Sequence, residues 1–495
     1  MDPREALVLA MPMQSTTQAT HKSPRMWQAT LIAALAGGMA WGIRGQYGHE
    51  TGAMIAGLLV SLVLTLLLCP SSRSLGVARA VALCTIAMGF GGSMTYGQTI
   101  GLTQNQLLVG NYDALAWGMF GLSIKGALWI TFAGAFLGIG LSGVRYRSLE
   151  MLILMLALIG LFFLGVQVFN EPFSPESKRL PIFYFSEAWV WNPEGVLKPR
   201  KEVWGGMLFS WLGLMAYSTL VKKDALTPRL ALWGLAGGAI GFPAGQSLQS
   251  FHAWNPGIFQ LGFMKELDPF LNWWNLMETT FGAIMGGILG LGLWLNRERI
   301  SVDGNSDVRD MPWLLEFTLI GVHVGLLVCS EFLQVPVVSA LYDYGLALGL
   351  IPIVCVVQGK WSPFLMTLPI PLIPIAGKTL REVAIKQGAI SLELGWIVYV
   401  VLPLLLTTAI AVVFALRENR SVEARGYLRC GLITSAWLYF SLNFAFFRFP
   451  FVWSEWTSRT PHALIFAVCL LGITILVWKS GSNASMQQGT ASKLG

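Results

Sequence analysis

The stretch TGAMIAGLLVSLVLTLLLCP, residues 51–70, contains no charged side chain. A helix of about 20 apolar residues spans the roughly 30 Å hydrocarbon core of a bilayer, so this stretch by itself predicts a membrane crossing. Working outward in both directions, windows of the same kind recur from Trp27 to Trp478 with few polar gaps. The whole chain agrees with them: of its 495 residues 54% are hydrophobic and only 12% charged, against about a quarter charged in soluble domains. The expected fold is therefore all-α, a polytopic transmembrane helical bundle of about fourteen spans. The 54 glycines fit it, because small residues let helix backbones approach closely in a bilayer.

The expected spans are 27–44, 51–70, 76–99, 113–143, 149–168, 202–220, 228–247, 272–295, 312–330, 334–357, 361–376, 390–416, 427–446 and 461–478. The fourth is long enough to be tilted, or broken near Ser123 and Lys125. The eleventh carries Pro363, Pro369, Pro371 and Pro374, which suits a re-entrant segment as well as a crossing. The organisation is then a cytoplasmic tail (1–26), an eight-span region (27–295), a cytoplasmic linker (296–311), a six-span region (312–478) and a second cytoplasmic tail (479–495). Two connections, 169–201 and 248–271, are rich in aromatics and prolines, as expected of a cap or an interfacial belt.

With both termini cytoplasmic, 20 of the 33 Lys and Arg residues fall on the inner side, as the positive-inside rule requires. The net charge of +7 is thereby explained by membrane topology, without a nucleic-acid partner. The first 25 residues lack a basic n-region and cleavage site, so the first span acts as an uncleaved anchor. Compact loops and no organelle signal make a bacterial inner (plasma) membrane the default. The six cysteines have no CxxC spacing and read as small buried hydrophobes, implying neither disulfides nor a zinc site. No cofactor is implied, and the expected partners are membrane lipids and a small-molecule solute, with assembly into a homo-oligomer left open.

Three outward-running spans end alike, in AWGIRGQY (40–47), GSMTYGQT (92–99) and IGFPAGQS (240–247). Each carries a Gly-Gln pair followed by a hydroxyl residue, giving Gln46, Gln98 and Gln246, with Tyr96 just ahead of the second pair. Each is followed by an inward helix with an ionisable residue ahead of a Gly-Ala pair: Glu50, Lys125 and Glu278. The pattern predicts parallel internal repeats of helical hairpins that gather amides and hydroxyls at the mouth of a shared cavity. The bland alternative is that Gly-Gln merely terminates helices, glycine being the common C-terminal cap.

A charge at the bilayer centre costs about 2.5 to 3.5 kcal/mol on insertion scales, so Lys125 and Glu278 need a reason to persist. The repeat suggests that they pair with each other, either to hold a solute or to keep helices in register. Glu316 and His323, seven residues apart on one face, read as a packing pair, and Asp343 between tyrosines as interfacial. The densest polar cluster is GIRGQYGHE (42–50), where Arg44 could clamp a carboxylate or phosphate and His49 with Glu50 could act as an acid–base pair. A metal site would need more ligands than these.

These features predict a secondary transporter, or permease, for a small polar or anionic solute, ion- or proton-coupled, with Arg44, Gln46, His49, Glu50, Tyr96, Gln98, Lys125, Gln246 and Glu278 around the solute. No GxxxxGK[ST] motif is present to supply ATP binding. The alternative is a membrane-embedded transferase with an outward-facing active site at Arg44, His49 and Glu50. In a third reading, a scaffold without chemistry, the buried charges are structural.

Overall fold

The computed structural model describes residues 24–187, 190–191, 199–302, 311–418, 424–446 and 456–491. Among them there are helices and turns but no β-strand. The order is α1 (Met26–Arg44), α2 (Thr51–Leu68), α3 (Ser74–Met88), α4 (Gly97–Gln104), α5 (Tyr112–Leu141), α6 (Ser148–Phe169), α7 (Trp204–Ala216) and α8 (Thr227–Trp254). It continues with α9 (Gly262–Leu267), α10 (Trp273–Leu295), α11 (Trp313–Glu331), α12 (Pro336–Tyr342), α13 (Gly345–Val356), α14 (Ser362–Thr367) and α15 (Pro369–Leu380). The chain closes with α16 (Leu392–Gly395), α17 (Leu402–Arg417), α18 (Ala424–Phe446) and α19 (Thr460–Ala491).

Ten described helical runs are long and apolar enough to cross a membrane, and α12 with α13, bent by 79°, would make an eleventh. The expected segments 202–220, 228–247 and 427–446 are also helical, as α7 with its π-helical continuation, α8 and α18, but they are less apolar or more interrupted. Two details of the expected spans differ. The fourth is one unbroken 30-residue helix, α5, about 45 Å long at 1.5 Å per residue. The proline-rich eleventh belongs to a continuous helical run, Ser362–Lys386, and the sharp bend falls instead in the tenth, at Asp343 and Tyr344. Pro363 and Pro369 sit in the first turns of α14 and α15, where a missing N–H costs nothing.

The centre of the bundle is the row α1, α10, α8, α5, each helix packed antiparallel on the next. Glycine makes this possible. A Cβ at Gly37 of α1 would collide with the carbonyl oxygen of Gly282 on α10, and one at Gly126 of α5 with that of Gly238 on α8. Backbone therefore lies on backbone, the small-residue contact that replaces a hydrophobic driving force inside lipid. Beside this row, fully buried Phe90, Phe132, Phe136 and Trp129 fill the space between α3 and α5.

The three Gly-Gln pairs occupy three different backbone settings. Gly45-Gln46 follows the end of α1, Gly97-Gln98 opens the short α4, and Gly245-Gln246 lies inside α8, which runs on to Trp254. Part of the expected cap, including Trp189, Asn192, Pro193 and Glu194, falls outside the described residues.

Candidate functional site

Arg44 is the last residue of α1 and is 2% exposed. Its guanidinium is boxed by three rings, with Cζ 4.8 Å from the Trp41 centroid, 5.3 Å from Trp129 and 5.6 Å from Tyr96. Ring faces attract a cation most strongly where water is excluded. Trp41 is one turn before Arg44 on α1, so the helix itself places this wall. Gly45, next in the chain, leaves room for the Glu278 carboxylate, which a Cβ there would push aside. On α10, Asn275 donates to the carbonyl of Gly42 at 2.7 Å and fixes the two helices end to end.

Arg44 uses few of its five N–H donors. Nη1 and Nη2 donate to the same Tyr96 hydroxyl at 3.2 and 3.1 Å, and Nη1 lies 3.5 Å from His49 Nδ1. Glu278 stands off at 3.6 Å, and Nε has no partner. The Tyr96 hydroxyl is also 3.2 Å from His49 Nδ1. The guanidinium can only donate, so its contact has that nitrogen accepting, as in the neutral tautomer protonated on Nε2, and the Tyr96 hydroxyl can serve either role. Protein packed around the ring, then Arg44, Lys378 and Arg200, hold the His49 pKa far below its usual range, although the residue as a whole is exposed.

Glu50, at the N-cap of α2, has its side chain against the backbone of Gly92, where a Cβ would come 2.7 Å from Cγ. Burial first, then the charge of Asp343, push its pKa up to about 7, against the opposing pull of Lys378 and Arg44. The left-handed Gly48 (φ 89°) turns the chain there beneath Lys378, whose Nζ donates to the Tyr47 carbonyl at 2.6 Å and to Thr51 Oγ1 at 3.1 Å. Lys378 also faces Glu331 at 3.5 Å, and Glu331 is paired with Arg381.

The expected pairing of Lys125 with Glu278 does not form. Lys125, 1% exposed, donates to the Thr95 carbonyl at 2.6 Å, Thr99 Oγ1 at 2.7 Å and Glu202 Oε1 at 2.6 Å. Glu202 accepts further from Phe185 N and Ser186 Oγ. Lys125 faces α4 and the segment ahead of α7, whereas Glu278 faces α1 and also feels Arg459.

The glutamines do not share a hollow either. Gln98 accepts from the backbone N–H of Arg200 at 3.1 Å, and Gln246 donates to Thr103 at 2.8 Å, so both fasten neighbouring segments to α4. The Gln46 side chain makes no hydrogen bond among the described residues. Glu316 and His323 are each satisfied, but not by one another. Glu316 accepts from Trp361 N, Ser362 N and Ser362 Oγ, and His323 Nδ1 contacts the Tyr342 hydroxyl at 3.1 Å. Asp343 lies at the bend between α12 and α13, where Glu50 feels its charge.

Arg44, His49, Glu50, Tyr96 and Glu278 thus gather at one end of the central row, while Lys125, Gln98 and Gln246 serve separate packing. Sequence reasoning missed Trp41, Trp129, Glu202 and Lys378. Of these Lys378 had a usable signal, a cation in an apolar run, lost because the span was ended among the prolines at 376.

No family model matches the chain, and no curated protein matches it. Among solved structures, the crystal structure of an Eremococcus coleocola manganese transporter in complex with an aromatic bis-isothiourea substituted compound is 12% identical, over 94% of this chain and 90% of that one, with a TM-score of 0.17. A likeness that slight carries no argument, and what is established is a multi-pass helical membrane protein with a buried arginine centre at one end of its core.

Proposed function

We propose that the chain is a secondary transporter, a permease for a small anionic solute, with the Arg44 centre as its binding site. The observation that carries this is a buried guanidinium, walled by three aromatic rings, whose donors outnumber its acceptors. A planar carboxylate or phosphate oxygen pair would take the free N–H groups in the bidentate manner that arginine favours. Glu50, titrating near neutrality beside the site, is the natural proton carrier for coupling.

Fourteen crossings in a bacterial inner membrane, with both termini cytoplasmic, belong to the same proposal. Its support is a helix in each expected segment and the excess of Lys and Arg on the expected inner side. Parallel repeats are supported by the triplet AGG at 36–38 and 236–238, each at the same spacing ahead of a Gly-Gln pair. In both places this stretch packs on an inward helix that carries an ionisable residue.

The test is uptake of radiolabelled small carboxylates and phosphate into proteoliposomes under an imposed pH gradient. Flux is expected for the native chain and loss of it in Arg44→Gln; flux that Arg44→Gln leaves unchanged removes the centre from the mechanism. The second reading, a membrane-embedded transferase, is favoured by the position of the centre. It lies at one end of the core and reaches the surface at His49, with backbone-to-backbone contacts along the row beyond it. Turnover of an anionic substrate without flux would decide for it.

A further inference from the structure

Where α6 begins and the α7 run ends there is a groove of about 760 Å³, within the roughly 300–1,000 Å³ of ligand pockets. Its lining divides into two parts. Leu149, Ile153 and Ala157, all exposed, stand four residues apart and form one apolar strip along α6. This helix is among those long and apolar enough to cross a membrane, so the strip faces lipid. At the head of the strip the lining turns basic. Arg145 and Arg147 stand just ahead of α6, and Lys222 follows the π-helical turn Tyr217–Val221.

Glu150 is the one carboxylate among the lining residues, and its oxygens are taken. The backbone N–H of Arg147 donates to Oε2 at 3.1 Å, the Tyr217 hydroxyl donates to Oε1, and Lys222 Nζ lies 2.8 Å from Oε1. Lys222 also sits over the Tyr146 ring, 4.9 Å from its centroid. Single π-turns are uncommon and concentrate at functional sites, and this one carries Tyr217 and ends on Lys222. Three cations thus line the groove against one carboxylate. Lys222 answers Glu150, whereas the exposed Arg147 forms no ion pair among the described residues.

We propose that this groove binds an anionic phospholipid of the surrounding membrane, its phosphate at Arg145, Arg147 and Lys222 and an acyl chain along Leu149, Ile153 and Ala157. Guanidinium groups take phosphate oxygens in pairs, and basic pockets between membrane helices hold anionic head groups. A zwitterionic head group would bring an ammonium for which the lining has no unengaged carboxylate. A free phosphate would use the basic end and leave the apolar strip joined to it unused. The groove shares no residue with the Arg44 centre, so the proposal stands apart from the function proposed for that centre and would survive its failure.

The test uses the full chain, purified in detergent and stripped of lipid, with binding read by native mass spectrometry. The probes are dioleoyl phosphatidylglycerol, dioleoyl phosphatidylcholine and glycerol 3-phosphate. A saturable phosphatidylglycerol adduct is expected, with phosphatidylcholine about tenfold weaker and glycerol 3-phosphate not retained. Ala157→Trp, which fills the apolar strip without touching a charge, should abolish that adduct. Replacing both Arg145→Gln and Arg147→Gln should bring it down to the phosphatidylcholine level. If the double variant fails to fold, the three probes and Ala157→Trp still decide. Equal retention of the two lipids, or an adduct that Ala157→Trp leaves intact, would overturn the proposal. Glycerol 3-phosphate held as tightly as the lipid would overturn it too, and make the basic end a site for a soluble phosphate ester.

Discussion

Lys125 and Arg44 are both cations buried inside the same bundle, and they are held in opposite ways. Lys125 has three donors and three acceptors at 2.6 to 2.7 Å, among them the Glu202 carboxylate. Arg44 has five donors, one tyrosine hydroxyl, one imidazole at 3.5 Å and a carboxylate that stands off at 3.6 Å. A cation whose hydrogen-bonding capacity is used up locks the helices around it, whereas one with capacity to spare is, in the function proposed above, the group that takes the solute.

The largest expected effect is on the saturated cation. Lys125→Met strands Glu202 without its counter-charge in a buried position and should cost about 3–5 kcal/mol. A fall in folded yield and thermal midpoint in detergent would show it, with partial recovery when Glu202→Gln is added. The molecules that do fold should bind anions as before. If they lose binding instead, the separation of the two centres is wrong.

Arg44→Gln should behave the other way round. Anion affinity measured by calorimetry is expected to fall at least tenfold, about 1.4 kcal/mol, while the thermal midpoint moves less than for Lys125→Met. Collapse of the fold with no separable binding defect would make Arg44 a second structural cation.

A smaller effect is expected from pH. Glu50 has its pKa raised from 4.5 to about 7, so the folded state favours its neutral form. Its contribution to stability is therefore lost as pH rises from about 4.5 toward 7, where an unfolded chain would already have given up the proton. An anion bound beside it meets a new negative charge as pH passes 7, so affinity should weaken a few-fold between pH 6 and 8. Glu50→Gln should flatten that dependence, and a slope that persists in the variant would assign it to another group.

The smallest effect belongs to Gln46→Ala. With no side-chain hydrogen bond to lose, both stability and affinity should stay within about 0.5 kcal/mol of the native chain. A tenfold loss of affinity would restore Gln46 to the site and enlarge the difference between the two centres.

Much of the fold was legible because apolarity and length report directly on burial in lipid, and a helix stands in every segment the composition marks. The site was legible in part. GIRGQYGHE concentrates polar groups where an apolar helix stops, and that local excess is visible without neighbours. The three Gly-Gln pairs misled because a dipeptide does not specify backbone: the same two residues follow a helix at 45–46, open one at 97–98 and continue one at 245–246.

The sequence alone determined that this chain crosses a bilayer many times, that its helices pack through glycine, and that its buried charges must find partners, since each follows from the cost of exposing polar groups to hydrocarbon. Which partner each charge found was decided only in three dimensions. Periodicity fixes the face of a helix on which a residue lies, but not the rotation and depth of the neighbour opposite. Those were set by backbone contacts between helices far apart in the chain, such as Gly37 on Gly282, and they turned Arg44 to Glu278 and left Lys125 to Glu202.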